Sequence, residues 1–138
     1  DFTHLQFITI SISNALLFYI ILSIIKSIRT NKNVSVYSLI EALIGYLLIA
    51  LMFSSFVNYC CSHIHNSYSI TEVKHIDMIY YTVISLTSTG YGDIVPIHPI
   101  TKSLGMLIAM TGQFYIAIIV AIIVGKYSHT FIFNNKED

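Results

Sequence analysis

Charged residues are scarce in this sequence. Only 10% of the 138 residues are charged, and the seven basic residues balance the seven acidic ones, so the formal net charge is zero. A chain with neither a basic block nor an acidic tail has no electrostatic means of holding nucleic acid or an acidic soluble partner. Its hydrophobic fraction of 55% and its mean hydropathy of +0.73 exceed those of an ordinary soluble domain, which indicates a membrane protein.

Cysteines and catalytic motifs are equally sparse. The two cysteines, Cys60 and Cys61, are adjacent, and adjacent cysteines seldom bridge each other, so the sequence holds no disulfide framework. No serine stands in a Gly-x-Ser-x-Gly setting, which argues against a membrane hydrolase, and we expect no enzyme activity. The chain begins at Asp1 without a methionine, and its first apolar run lacks the basic start of a signal peptide. We therefore count that run as structure and expect further segments upstream.

Three apolar segments are long enough to cross about 30 Å of hydrocarbon, which takes roughly 20 helical residues. They cover residues 5–25, 39–59 and 104–124. A fourth apolar segment, residues 77–87, is too short to cross. As a helix it would enter the membrane, stop halfway and lead into a glycine-containing stretch. The pattern predicts an all-α integral membrane protein with one re-entrant helix.

Basic residues predict the orientation, because they concentrate on the cytoplasmic side of membrane proteins. The segment between the first two spans and the end of the chain hold Lys26, Arg29, Lys32, Lys126 and Lys136. The connection from residue 61 to residue 102 holds only Lys74 and Lys102, so we expect it outside. The first span has no arginine or lysine before Lys26 and lacks the repeated charges of a voltage-sensing helix.

A few polar residues interrupt the spans. Ser11, Ser13 and Asn14 in the first span are expected to bond to a neighbouring helix or to their own backbone, which is a packing role. Glu41, near the start of the second span, is expected at the cytoplasmic interface as an acid at a helix N-terminus.

The stretch SLTSTGYGDIVP, residues 85–96, lies between apolar runs and carries two glycines around a tyrosine. Non-helical backbone at membrane depth has unpaired carbonyls, which cost several kcal/mol each unless protein, water or an ion satisfies them. Glycine takes positive φ at little steric cost, so Gly90 and Gly92 allow a backbone of alternating hand that turns successive carbonyls to one side. Several such strands around an axis would form rings of oxygen that replace the water shell of a cation.

The segment SLTSTGYGD, together with the order span, short helix, glycine stretch, span, resembles the pore domain of potassium channels. The match covers approximately residues 39–127. The resemblance implies an N-terminal transmembrane helix with a cytoplasmic linker (1–38) and a pore domain with a short cytoplasmic tail (39–138). Within the pore domain it implies an outer helix (39–60), outer loop (61–76), pore helix (77–87), filter (88–92) and inner helix (100–127).

The resemblance also implies the ion sites. Backbone carbonyls of Ser88, Thr89, Gly90 and Tyr91 would bind K⁺, with the Ser88 hydroxyl at the inner end and Gly92 completing the filter. Two positions depart from the family pattern. Ser88 stands in place of threonine and lacks the methyl group that restrains the rotamer, whereas Thr89 stands in place of valine and adds a hydroxyl. No cofactor is implied, and K⁺ is the permeant ion.

Residues behind the filter are also implied by the resemblance. Tyr80 and Tyr81 stand where many potassium channels have tryptophans, and Tyr91 would pack among them as part of an aromatic cuff. Tyr91 is expected to bond near Tyr81 or Ser85, and Asp93 is expected to reach Tyr80. The alternative is that these tyrosines are ordinary anchors at a membrane interface.

The third span would line a cavity below the filter. Gly112 aligns with the glycine at which inner helices of the family often bend, and Gln113, Ile116 and Val120 would face the cavity. Small residues allow close helix approach at a cytoplasmic constriction, or simply pack helices. These small residues are Ala117, Ala121 and Gly125.

The outer side is rich in histidine. Five of the six histidines are expected there: His4, His63, His65, His75 and His98. They would sense external protons or, alternatively, be loop histidines without a gating role. The sequence CCSHIH, residues 60–65, offers zinc or copper ligands at a spacing that matches no standard motif. The alternatives are a helix end at Cys60 and a bridge between subunits at Cys61.

One filter strand cannot enclose an ion path, so several copies of the chain are needed. The resemblance implies four, and with it a potassium-selective channel that conducts K⁺ passively as a homotetramer in the cell membrane. One alternative is a weakly selective monovalent cation channel. Another is a subunit of a potassium-uptake transporter, a class whose filter-like loops usually occur as four unlike copies in one chain. Regulatory segments outside this sequence are expected as further partners.

Overall fold

The chain folds into four helices. The computed structural model describes residues 2–30, 36–70 and 74–134. The helices are α1 (Phe2–Thr30), α2 (Val36–His63), α3 (His75–Leu86) and α4 (Pro99–Asn134). The parts of the chain that the structure describes contain no strand longer than a single bridge between Tyr68 and Pro96. The predicted all-α fold is confirmed.

Three of these helices are long and apolar enough to cross a membrane. The candidate spans are Ile10–Ser27, Tyr37–His63 and Pro99–Gly125. Each overlaps one of the three segments that the sequence predicted as spans and extends beyond at least one of its ends. Helix α3 has 12 residues and is about 18 Å long, which is too short to cross about 30 Å of hydrocarbon. The protein is a multi-pass membrane protein. Residues 31–35 of the expected linker and 135–138 of the tail lie outside the described residues, and the division into domains stays a prediction.

Polar side chains join α1 to α2. Asn14 is only 6% exposed, and its amide nitrogen donates to the Ser55 hydroxyl at 2.8 Å and to the backbone carbonyl of Ile10 at 2.9 Å. Asn14 therefore bonds both to a neighbouring helix and to the backbone of its own helix, the two contacts expected from the sequence. The Ser27 hydroxyl donates to the Glu41 carboxylate at 3.2 Å. This corrects the expectation for Glu41, because the first turn of α2 holds no acidic residue and Glu41 bonds to the neighbouring helix instead.

Two tyrosines join α2 to α3 and α4. The Tyr115 hydroxyl of α4 donates to the carbonyl of Ala42 at 2.8 Å, and the Tyr46 hydroxyl of α2 donates to the carbonyl of Leu86 at 3.0 Å. The two rings lie 5.6 Å apart. A Cβ added to Gly45 would overlap the Tyr115 hydroxyl, so glycine at this position lets α4 approach α2. The pair holds the C-terminal end of α3 against both long helices.

A short backbone pairing ties residues 67–69 to residues 95–97, which follow the glycine stretch. The Ser69 N–H donates to the Val95 carbonyl at 3.0 Å, and the Ile97 N–H donates to the Ser67 carbonyl at 2.9 Å. Between them, the Tyr68 ring is buried edge-on against the Tyr81 ring, with centroids 5.0 Å apart. Burial raises the pKa of Tyr68 far above its usual range. These contacts hold the segment that follows the glycine stretch against α3 and the segment that follows α2.

Candidate ion-binding site

Helix α3 ends in a Schellman motif. The Ser88 N–H donates to the Ser85 carbonyl at 3.1 Å, and the Thr89 N–H donates to the Ile84 carbonyl at 2.9 Å, the bond pattern of this helix end. The motif needs a left-handed residue, usually glycine, and here that residue is Ser88 with φ +56. An L-residue pays about 1–2 kcal/mol for this conformation. The residue predicted at the inner ion site is therefore held in a strained backbone.

The last four carbonyls of α3 all accept hydrogen bonds. These carbonyls belong to Val83, Ile84, Ser85 and Leu86. The three earlier carbonyls accept from N–H groups of the following turn, and Leu86 accepts from the Tyr46 hydroxyl. The last carbonyls of a helix have no donor inside their own helix, so the following turn and Tyr46 supply the missing hydrogen-bond donors.

Positive φ recurs at every second residue of the predicted filter. The values are +56 at Ser88, +55 at Gly90 and +78 at Gly92, whereas Thr89 and Tyr91 have no positive φ. A Cβ on either glycine would meet no atom within 4 Å, so conformation and not crowding makes glycine necessary here. A backbone of alternating hand can turn its carbonyls to one side, the arrangement that a row of cation ligands requires.

The predicted filter lies on the surface of the single chain. Every residue from 87 to 93 is exposed, and Tyr91 is 72% exposed. Within the described part of the chain, Tyr91 makes no hydrogen bond to Tyr81 or Ser85. The structure therefore brings two of these predicted support residues together, because the side chains of Tyr81 and Ser85 share a hydrogen bond, whereas Tyr91 bonds to neither within the single chain.

Tyr80 and Asp93 do meet. The Tyr80 hydroxyl donates to Asp93 Oδ2 at 2.8 Å, across the whole filter. This bond lowers the pKa of the Asp93 carboxyl and raises the pKa of Tyr80. The contact ties Asp93, which follows the predicted filter, to α3, as the resemblance implied.

The two threonines beside Ser88 point back at α3. The hydroxyls of Thr87 and Thr89 lie 2.9 Å apart, and the Thr87 hydroxyl donates to the Val83 carbonyl at 2.9 Å. The hydroxyl that Thr89 adds relative to valine thus has a partner behind the filter.

Helix α4 touches α3 next to Ser88. A Cβ on Gly112 would overlap the backbone carbonyl oxygen of Leu86, so glycine is needed for this close approach. The approach brings the next residue against the filter, where Gln113 Nε2 donates to Ser88 Oγ at 2.8 Å. Helix α4 continues through Gly112 without a break. Gly112 is thus a contact residue between α3 and α4, and the expected bend of the inner helix at this position stays a prediction.

The other predicted cavity residues lie on the exposed side of α4. Ile116 is 44% exposed and Val120 is 51% exposed, whereas Tyr115 and Ile119, on the opposite side, are buried against the rest of the chain. Two small residues share the exposed side, Ala117 and Ala121. This side is available to line a space between copies of the chain, and its assignment to a cavity or gate stays a prediction.

The sequence model of a family described as "Ion channel" matches residues 46–129. The match is more than half of the chain and covers part of α2, all of α3, the predicted filter and most of α4. The chain belongs to this ion-channel family. Ion channels move ions without making or breaking covalent bonds, so the channel is not an enzyme.

Three curated relatives of the channel are named as potassium channels. It is 31% identical over 70 residues to "Voltage-gated potassium channel" of Aeropyrum pernix, covering 51% of this chain and 23% of the relative. It is 35% identical over 57 residues to "Potassium voltage-gated channel protein shk-1" of Caenorhabditis elegans, covering 41% and 11%. It is 30% identical over 83 residues to "Potassium channel K2" of Plasmodium falciparum, covering 56% and 5%. The channel chain thus matches less than a quarter of the length of each relative, and no solved structure matches it significantly.

The outer histidines and cysteines of the channel form no metal centre in the described residues. No group of three or more histidine, cysteine, aspartate or glutamate side chains there is arranged to hold an ion. The His63 ring stacks on the Tyr59 ring at 4.2 Å, and Cys60 and Cys61 are half-buried free thiols. The side chain of His4 lies outside the described residues.

His98 has a structural contact instead of an open position. Its Nδ1 accepts a hydrogen bond from the Ile100 N–H at 3.3 Å, where α4 begins. This is the position at which a side chain caps the first turn of a helix. The proton-sensing alternative stays a prediction.

Two contacts of the site were missed by reasoning from the sequence, Tyr46 with Leu86 and Gln113 with Ser88. A signal for the second was present, because Gln113 is an amide in a long apolar helix and follows a glycine. A buried or membrane-embedded amide needs a partner, and a glycine marks the place where that partner can come close.

Proposed function

We propose that this chain forms a potassium-selective channel in which four copies surround one conduction path. Each copy contributes the filter 88–92, and the backbone carbonyls of Ser88, Thr89, Gly90 and Tyr91 coordinate K⁺. The observation that carries this proposal is the alternation of positive φ at every second residue of the exposed segment 88–92. The names of the three relatives support potassium as the ion.

The exposure of the filter supports an oligomer. A single strand cannot replace the hydration shell of a cation, because the shell surrounds the ion on all sides. In one chain the space beside Gly90 and Gly92 is empty to at least 4 Å, and large apolar residues of α4 such as Phe114 and Ile116 are exposed. Lipid or further copies would cover the apolar side chains, and further copies would close the ring of carbonyls.

Helix α3 would support the ion electrostatically. Its C-terminal end lies at the inner end of the filter, and that end carries partial negative charge. A cation in a cavity below the filter would be stabilised there. No cofactor takes part in this mechanism, and K⁺ exchanges one set of oxygen ligands for the next.

A weakly selective monovalent cation channel is the second candidate. The observation that favours it is Ser88, whose side chain lacks the restraint of a β-methyl group and whose φ of +56 is strained. An inner site with a poorly held oxygen would discriminate less between K⁺ and Na⁺.

Planar-bilayer recording of the purified protein in mixed K⁺ and Na⁺ solutions tests the proposal. We expect a reversal potential close to the K⁺ equilibrium potential. Near-equal permeability would favour the second candidate, and a stable monomer by native mass measurement in detergent would contradict both.

A further inference from the structure

Ser88 needs something to fix its hydroxyl. A serine hydroxyl selects among staggered rotamers without the bias that β-branching gives to threonine. The backbone of Ser88 is also in the left-handed region, with φ +56. If the hydroxyl is a ligand of the innermost ion, each change of rotamer removes that ligand from the site.

The contact that fixes the hydroxyl comes from α4. Gln113 Nε2 lies 2.8 Å from Ser88 Oγ, and no other side chain in the described part of the chain bonds to this hydroxyl. The position of the Gln113 amide is set by the preceding residue, Gly112, which contacts the Leu86 carbonyl. Rigid helix packing thus places the donor, which a flexible surface glutamine would not achieve.

The direction of the hydrogen bond is compatible with ion binding. A hydroxyl has one donor hydrogen and two acceptor lone pairs. Donation from the Gln113 amide occupies one lone pair and leaves the other for a cation, while the hydroxyl hydrogen can point away from both. An ion and the amide can therefore hold the same oxygen at the same time.

We propose that Gln113 is a positioning residue that holds the Ser88 hydroxyl as a ligand of the innermost ion site. The proposal rests on the proposed function. In each copy the amide supplies the restraint that the missing methyl group would otherwise give. Selectivity in this channel is then shared between the filter and one residue of the inner helix.

A double-mutant cycle tests the proposal by reversal potentials in mixed K⁺ and Na⁺. The four proteins are the wild type, Gln113→Met, Ser88→Thr and the double variant. Methionine has nearly the shape of glutamine without the donor, so we expect Gln113→Met to lower the K⁺ to Na⁺ permeability ratio about five-fold, the size of one neutral hydrogen bond. In the Ser88→Thr background we expect Gln113→Met to change the ratio by less than about two-fold, because threonine restrains its own rotamer.

Two further variants serve as controls. Gln113→Asn keeps the amide but is one methylene too short, so it should reproduce the loss and does not depend on how methionine packs. Ser103→Ala removes a hydrogen bond to the Pro99 carbonyl elsewhere on α4 and should leave the ratio unchanged.

The outcomes separate the two proposals. A wild type without K⁺ preference overturns the proposed function. A selective wild type with unchanged ratios in both Gln113 variants overturns the positioning role alone. Equal losses in the Ser88 and Ser88→Thr backgrounds also overturn it, because they would show that Gln113 acts on the helix packing and not on the hydroxyl.

Discussion

The two halves of the molecule are held together in different ways. Helices α1 and α2 are joined by side-chain contacts far apart along their length, such as Asn14 with Ser55 and Ser27 with Glu41. Helices α2, α3 and α4 meet at one backbone group, the carbonyl of Leu86, which accepts from a tyrosine and touches a glycine. Contacts between side chains tolerate small shifts, whereas a contact with the backbone fixes position. The half that carries the predicted filter has the stricter packing.

The largest effect is expected from a substitution of Gly112, which disrupts the close contact between α3 and α4. In Gly112→Ala the new methyl group would overlap the Leu86 carbonyl, and backbone must move to admit it. We expect a loss of about 1–3 kcal/mol of stability together with loss of conduction. The measurement is thermal unfolding in detergent alongside bilayer recording. Gly125→Ala is the matched control, because a Cβ there meets no atom within 4 Å, and equal losses in both variants would contradict the contact.

The filter itself should respond differently from its support. In Gly90→Ala the side chain has room but must adopt φ +55, which costs about 1–2 kcal/mol locally. We expect normal assembly by size-exclusion chromatography with loss of K⁺ conduction in bilayers. Conduction with unchanged selectivity would refute the assignment of residues 88–92 as the filter.

The α1 to α2 half should be more tolerant. Asn14→Leu removes the bonds to Ser55 and to the Ile10 carbonyl, and such bonds within membranes average about 0.6 kcal/mol each. We expect a small decrease in thermal stability and an unchanged K⁺ to Na⁺ permeability ratio. Ser13→Ala, on the exposed side of α1, should change neither. A selectivity change in Asn14→Leu would show that the two halves are not separate in function.

The smallest effect is expected at the outer end of the filter. The hydrogen bond from Tyr80 lowers the pKa of the Asp93 carboxyl. The bond therefore contributes its full stabilisation above the usual pKa range of aspartate, and this stabilisation is lost as the pH falls through the lowered pKa. In Tyr80→Phe the carboxyl should protonate at a higher pH than in the wild type. Titration of outer pH during bilayer recording measures this, and an acid response at the same pH in both proteins would contradict the role of the bond.

Local patterns in the sequence predicted much of the architecture. Length and hydropathy suffice for the three spans and the short α3, because each depends only on its own residues. The positive φ of Gly90 and Gly92 was also predictable, since glycine is the residue that takes this conformation without strain. The bond between Tyr80 and Asp93 followed from the resemblance of the motif.

Contacts that depend on how two helices align were not predictable. The bond from Gln113 to Ser88 exists because Gly112 meets Leu86. The amide and the preceding glycine signal that a partner comes close, but the identity of that partner depends on how α3 and α4 align, which neither helix sequence gives. The positive φ at Ser88 arises from the way α3 ends, which overrides the preference of a serine. Glu41 was expected at a helix start, but the helix begins earlier and the carboxylate found a partner on α1.

The hydrogen bonds at the end of α3 separate two effects on an ion, the attraction of any cation and the preference for K⁺ over Na⁺. The carbonyls of residues 83–86 are aimed at protein donors, so what this helix offers to an ion is a field and not a coordination shell. A field of this kind acts on charge alone and raises the local concentration of Na⁺ as much as that of K⁺. It also weakens as salt is added. In the proposed channel, conductance at low ionic strength and preference between ions would therefore be separate properties, the first set by the end of α3 and the second by the filter carbonyls.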